Sequence, residues 1–380
     1  MIGTPPARRR MRGAALRRSR ESLGYTLEDA ARVLACDRSK ISRIETGLRG
    51  IRPGELRDLL AGYGVDEPAQ GALTALADPR AVRGWWQAYA DVLPEAFREY
   101  LAIEAMAAQV LVYDSQRVPG LLQTGRYAHA VASADPAVPA ALRDRAAETV
   151  LIRQQAFQSR EHGCLAVVIG EGALRQEAGD SEVMRHQLGH LAAVSEERAD
   201  LTIQVLPFTS GAHAAAVGPV TILWLVQPDD LGAAWLGSLP AGACIDSHAG
   251  VAGYFRAFTH LQASALTPQA STQLLREMAR IRALAGANQE PGPGQQRRSG
   301  RRTPRTAQPA TPAGGAHELQ RRGPFRFAYV TARCPPELAA ACHPPVKSSR
   351  GSGHSERQWM WLPLWPASAW QSTATPDSSS

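Results

Sequence analysis

The stretch "TLEDAARVLACDRSKISRIETG" (Thr26–Gly47) decides the fold of the first part of the chain. Thr26 followed by Asp29 has capping-box spacing, with Asp in the place of the usual Glu or Gln. The pattern predicts a helix from Leu27 to Leu34, with Leu27, Ala30, Ala31 and Leu34 on one face. Ala35-Cys36 is the turn. Asp37 stands where an N-cap belongs, and a second helix follows from Arg38 to Thr46, closed by Gly47. Only Ile41 and Ile44 are strongly apolar in that helix, so they face inward. At about 100° per residue, Ser39, Ser42, Arg43 and Thr46 then point outward, with Arg38 and Lys40 on the flanks. Two isoleucines are a small anchor for so polar a surface, which makes sense as a face presented to another molecule.

The neighbours complete a helical bundle. "RGAALRRSRESLG" (12–24) reads as a helix with Leu16 and Leu23 inward; "RPGELRDLLAGYGV" (52–65) and "DEPAQGALTALAD" (66–78) read as two more. Residues 1–11 read as a flexible basic arm. A DNA major groove accepts one α-helix, and Arg or Lys pairs there with guanine O6 and N7. On Ala31, the tight turn, Ile41 and "SRIETG" (42–47), the segment 12–78 resembles the XRE (Cro/C1-type) helix-turn-helix family. Ala35 stands where that family usually has Gly, and Leu27 where many members have Gln. The resemblance implies that Arg38, Ser39, Lys40, Ser42 and Arg43 face double-stranded DNA while Thr26, Arg17 and Arg18 touch phosphates. It also implies a homodimer on two half-sites about one turn apart. A generic bundle with a solvated basic face is the other reading.

Charge divides the chain. Residues 1–65 carry 14 Arg and Lys against 7 Asp and Glu, residues 66–286 carry 16 against 23, and residues 287–380 carry 12 against 5. The basic head suits a polyanion, and the acidic middle opposes one. No run of about 18 apolar residues predicts a membrane span, and no apolar segment follows the basic start as in a signal peptide. The five cysteines are scattered without a CxxC pair, which argues against a zinc ribbon and a disulfide framework and fits the reducing cytoplasm, here near the nucleoid.

From residue 79 to 286 the pattern changes to an α+β regulatory domain, so that the fold class is multidomain: all-α head, α+β middle, disordered tail. "QVLVYDS" (109–115), "LAVVIGEGAL" (165–174), "LTIQVLPF" (201–208), "PVTILWLV" (219–226), "AAWLGSL" (233–239) and "ACIDS" (243–247) read as strands, and 138–160, 181–197, 248–264 and 268–285 as helices. "GWWQAYADVLPEAFREYL" (84–101), "VPGLLQTGRYAHAV" (118–131) and "VLPFTSGAHAAAVGPVTIL" (205–223) are similar to the DUF5753 domain, which follows an XRE helix-turn-helix in many actinobacterial regulators. Where Gly237 stands, an acidic residue is common in that pattern. The resemblance implies a transcription factor with an unknown effector, and a small DUF397-type protein as a possible partner. The alternative is an antitoxin-like protein whose middle domain binds that partner while its DNA binding is autoregulatory.

Trp85 and Trp86 either seal the junction between the domains or line a ligand pocket. Glu171 and His213, on or beside loops after strands, either bind a ligand or pin the local backbone. His186 and His190 have metal-compatible HxxxH spacing but no third ligand at a fixed distance, and read as a solvated pair. There is no GxGxxG, GxxxxGK[ST], GxSxG or HExxH, so the expectation is no catalysis, no cofactor and no metal. Residues 287–380 hold 13 of the 27 prolines and read as a disordered tail, a frame artefact or a divergent extension. Its Arg297, Arg298, Arg301, Arg302 and Arg305 suit a nonspecific nucleic-acid arm.

Overall fold

A computed structural model of the chain describes residues 6–78, 80, 83–160, 163–214, 218–225, 231–237 and 243–287. The expectations for residues 288–380 lie outside the described residues, and so does the start of the basic arm.

Five helices make the head: α1 (Ala7–Ser22), α2 (Leu27–Val33), α3 (Arg38–Glu45), α4 (Pro53–Gly62) and α5 (Glu67–Ala77). The Thr26–Asp29 capping box is formed in both directions. Asp37 sits at the N-cap of α3, but its side chain makes no cap hydrogen bond. Residues 7–11 correct the expectation of a flexible arm. They are the first turns of α1, and Ala7 and Met11 are buried in a core that also holds residues of the middle domain.

The middle domain runs through α6 (Glu95–Glu104), β1 (Gln109–Asp114), α7 (Gly125–Ala134), α8 (Arg143–Gln158), β2 (Cys164–Gly170), α9 (Glu171–Arg175), α10 (Ser181–Glu197) and β3 (Leu201–Leu206). It continues with β4 (Val220–Trp224), β5 (Gly232–Leu236), β6 (Ala243–Ile245), α11 (His248–Ser264) and α12 (Pro268–Ala287). The six strands form one sheet in the order β3-β2-β1-β4-β5-β6. β1, β2 and β3 are parallel, joined by helical crossovers, whereas β4, β5 and β6 add an antiparallel meander. β1 is therefore the strand at which the sheet changes sense.

Helices cover both faces of the sheet, which is why β2 reads as a continuous apolar run rather than an alternation. Leu111, Tyr113, Ala166, Val168, Ile222 and Trp224 pack under Val251, Phe258 and Leu261 of α11. Val110, Val112, Leu165, Val167 and Ile203 belong to the opposite core, with α6, α10 and α12. That second core is continuous with Met11, Leu16, Ile41, Ile44 and Leu76 of the head. Among the described cysteines, Cys36 and Cys244 are free thiols.

Candidate nucleic-acid interface and ligand cavity

The outward face of α3 is built by what lies behind it. α1 and α3 cross so closely that a Cβ on Gly13 would meet the Glu45 carbonyl oxygen at 2.4 Å. Gly47, at φ 75°, ends α3 and packs on the backbone of Arg9 and Arg10. Arg20 of α1 holds Glu45 through two bonds, Nε–Oε1 at 2.7 Å and Nη2–Oε2 at 2.9 Å, and its Nη1 donates to the Tyr25 carbonyl at 2.6 Å. Both partners are buried, so this pair fixes the rotation of α3 about its axis. The Glu of "SRIETG" is therefore internal, and Arg20 is a residue that helical spacing alone did not single out.

With Ile41, Ile44 and Glu45 inward, Ser39, Arg43 and Thr46 are exposed and Ser42 is half-buried. The flanking cations have partners: Arg38 Nη1 donates to Glu28 Oε1 at 3.0 Å on the surface, and Lys40 Nζ donates to Glu55 Oε1 at 2.7 Å in a half-buried pair. Lys40 thus ties α3 to α4. The Arg43 guanidinium has no ion-pair partner among the described residues. Arg49 N donates to the Arg43 carbonyl at 2.9 Å, so the loop after α3 folds back and sets a second exposed arginine beside the first. Arg49 was legible only as one more basic residue, because its place depends on that loop.

Arg17 is exposed and pairs with Glu21 at 2.7 Å. The Thr26 hydroxyl is engaged with Asp29 in the cap. Arg18, with Met11 and Ala14, borders a small crevice shared with Trp224, Asp246 and His248. It faces the middle domain because α1 is docked there, with Arg10 Nε on Asp246 Oδ2 at 2.6 Å.

The middle domain holds a cavity of about 250 Å³ over the C-terminal end of β1. Val112, Tyr113 and Asp114 of β1, Thr221 of β4, and Val150 and Arg153 of α8 line it. One wall is Val92–Pro94 with Phe97; the other is the Arg117–Leu121 loop with Gln123. Three amides hold that second wall. Gln123 Nε2 donates to the Val118 carbonyl, Gln154 Nε2 to those of Gly120 and Gln123, and Gln187 Nε2 to that of Leu122, all at 2.7 Å. The "VPGLLQTG" motif is thus a rigid pocket wall. Behind it Arg153 is locked by the buried Glu104 (Nε–Oε1 2.9 Å, Nη2–Oε2 2.5 Å) and by Tyr100 Oη at 3.2 Å.

Residues 13–73 match the family model of a helix-turn-helix domain, and residues 97–277 match that of a domain of unknown function, DUF5753. The chain is a helix-turn-helix protein with a DUF5753 domain. No curated protein and no solved structure matches it.

None of the four residues singled out for ligand binding lines the DUF5753 cavity. Trp86 is buried in the core shared with the head; Trp85 packs against it edge to face, ring centroids 5.9 Å apart. Glu171 Oε2 accepts the Phe208 amide at 2.9 Å and Oε1 pairs with Arg175 at 2.6 Å, so it pins the loop after β3. That amide, with Arg175, holds the Glu171 carboxyl below its ordinary value. His213 packs edge to face on Tyr113 at 5.9 Å, one residue layer from the cavity. His186 pairs with Glu182 at 2.8 Å, and no cluster of three metal-ligating side chains occurs among the described residues. No described helix is long and apolar enough to cross a membrane.

Proposed function

We propose that this protein is an XRE-type transcription regulator that acts as a homodimer, with α3 in the major groove and the DUF5753 domain receiving an effector. One observation carries the DNA half of this reading. In the whole chain, with the middle domain in place, Ser39, Arg43, Thr46 and Arg49 stay exposed while both flanking cations are held by neighbouring helices. Arg43 is the side chain suited to a guanine edge, and Arg49 and Arg17 are suited to phosphates. The effector half is supported by the preformed cavity, whose wall residues Val92–Pro94 lie on the segment that joins α5 to α6 and whose Phe97 lies in the first turn of α6.

The test begins with selection of a preferred duplex from a random pool, followed by titration of that duplex and a scrambled one. Arg43→Ala should weaken the selected duplex by about 1–3 kcal/mol and the scrambled one much less. Lys40→Gln should lower the melting temperature and leave the ratio of the two affinities alone. An equal loss on both duplexes for Arg43→Ala would remove α3 from base reading.

A further inference from the structure

The DUF5753 cavity carries charge that its own walls do not use. Asp114 Oδ1 accepts the amides of Gln116 (2.8 Å) and Arg117 (3.2 Å), while Oδ2 has no partner among the described residues. The Arg117 guanidinium makes no ion pair or hydrogen bond there either, though it lines the same space. Arg153 donates through Nε and Nη2, and its Nη1 is unused. Burial is the main force on the Asp114 carboxyl and raises it above its ordinary value, against the pull of the two amides and of the nearby Arg117 charge. A ligand that pairs with it would therefore relieve a standing cost.

We propose that this cavity binds a small zwitterion with an apolar body, an α-amino acid or close derivative, its carboxylate on Arg117 and Arg153 and its ammonium on Asp114. The proposal rests on the reading of the middle domain as an effector receiver. Three observations select the class. A plain anion would meet Asp114 inside and the exposed Asp135 at the rim, and a plain cation would meet Arg117; a zwitterion satisfies both signs. Arg153 is already neutralised by Glu104, so the cavity does not have the strong positive field that a phosphate or dicarboxylate would favour. Val92, Leu93, Phe97, Val112, Leu121 and Val150 leave an apolar space for the body. About 250 Å³ holds on the order of eight waters at roughly 30 Å³ each, the scale of one aromatic amino acid. The wall fixed by Gln123, Gln154 and Gln187 makes the site preformed, so little ordering opposes binding.

The test uses the full chain and L-phenylalanine as the probe, read by calorimetry and melting temperature. Saturable binding is expected, with 3-phenylpropionate and phenethylamine, each lacking one charge, at least tenfold weaker. Arg117→Gln and Asp114→Asn should each weaken L-phenylalanine at least tenfold, and Val150→Phe, which fills the apolar space and leaves the charges, should do the same. If Asp114→Asn fails to fold, Arg117→Gln and Val150→Phe decide. Absence of saturable binding by L-phenylalanine, L-leucine and L-tryptophan, or half-probes that bind as tightly as the zwitterion, would overturn the proposal. Titrating the selected duplex with and without the probe separates the two readings. Binding that leaves DNA affinity unchanged keeps the site and sinks the effector role, while loss of DNA binding by Arg43→Ala alone bears only on the head.

Discussion

Ala35 has a φ of 46°, the only non-glycine at positive φ among the described residues. It stands in the turn between α2 and α3, where a left-handed residue lets the chain reverse in two positions. For an L-residue that conformation costs about 1–2 kcal/mol, whereas glycine gives up about 0.5–1 kcal/mol of unfolded-state entropy. Ala35→Gly should therefore stabilise the chain by about 0.5–1 kcal/mol, read as a higher urea midpoint at unchanged slope; a lower midpoint would show that the turn is not strained. At this scale the sequence was legible wherever one helix's own pattern settles the direction. Ile41 and Ile44 define an inside, so Ser39 and Arg43 must lie outside. Lys40 and Arg18 were not legible, because their surroundings are built by Glu55 and by the segment around Asp246, on other elements. The helical wheel put Lys40 on a flank, but only the packing of α4 shows which acid waits there.

Between elements, the tie of α6 to α8 rests on Glu104. Burial pushes its carboxyl up, but Arg153 and the Tyr100 hydroxyl outweigh this and hold it below the ordinary 4.5. A carboxyl whose folded value is depressed contributes stability that is present above about pH 4.5 and lost as pH falls through the folded value. The wild type should lose stability steeply on that acid limb. Glu104→Gln should be less stable near neutrality, by about 3–5 kcal/mol since it leaves Arg153 buried without its anion, and its acid limb should be flatter. Parallel acid limbs for the two proteins would mean that Glu104 is protonated in the native state. Sequence patterns located the strands, since short apolar runs bounded by Gly or Pro leave too few residues for a buried helix. They could not supply the sheet order, in which β1 lies between a parallel and an antiparallel neighbour. The cavity follows from that order. Its lining comes from segments scattered between Val92 and Gly237, which the sheet order brings together although they lie far apart in the chain.

Over the whole molecule, the charge division suggested a basic reader joined to an acidic receiver by a seam. The structure makes that seam a shared core. α1 gives Gly13, Leu16 and Arg20 to the head, while its Met11 and Ala14 border the crevice under Trp224 and Arg10 reaches Asp246. Cys244 lies in the same seam, and burial, the largest influence, pushes its thiol up to about 12. One helix serving two cores couples their stabilities, because neither keeps its packing when α1 leaves. Met11 is 1 % exposed, and Met11→Ala should cost about 2–5 kcal/mol. The loss should appear in both parts at once, as equally faster amide exchange in α3 and in β2, under conditions where exchange follows global opening. Cys244 should also become faster to alkylate at pH 8 as the seam opens. Acceleration in α3 with β2 still protected would mean that the head unfolds alone. In that case α1 would be a tether and could not carry strain from the Leu93–Phe97 wall of the cavity to the face that holds Arg43.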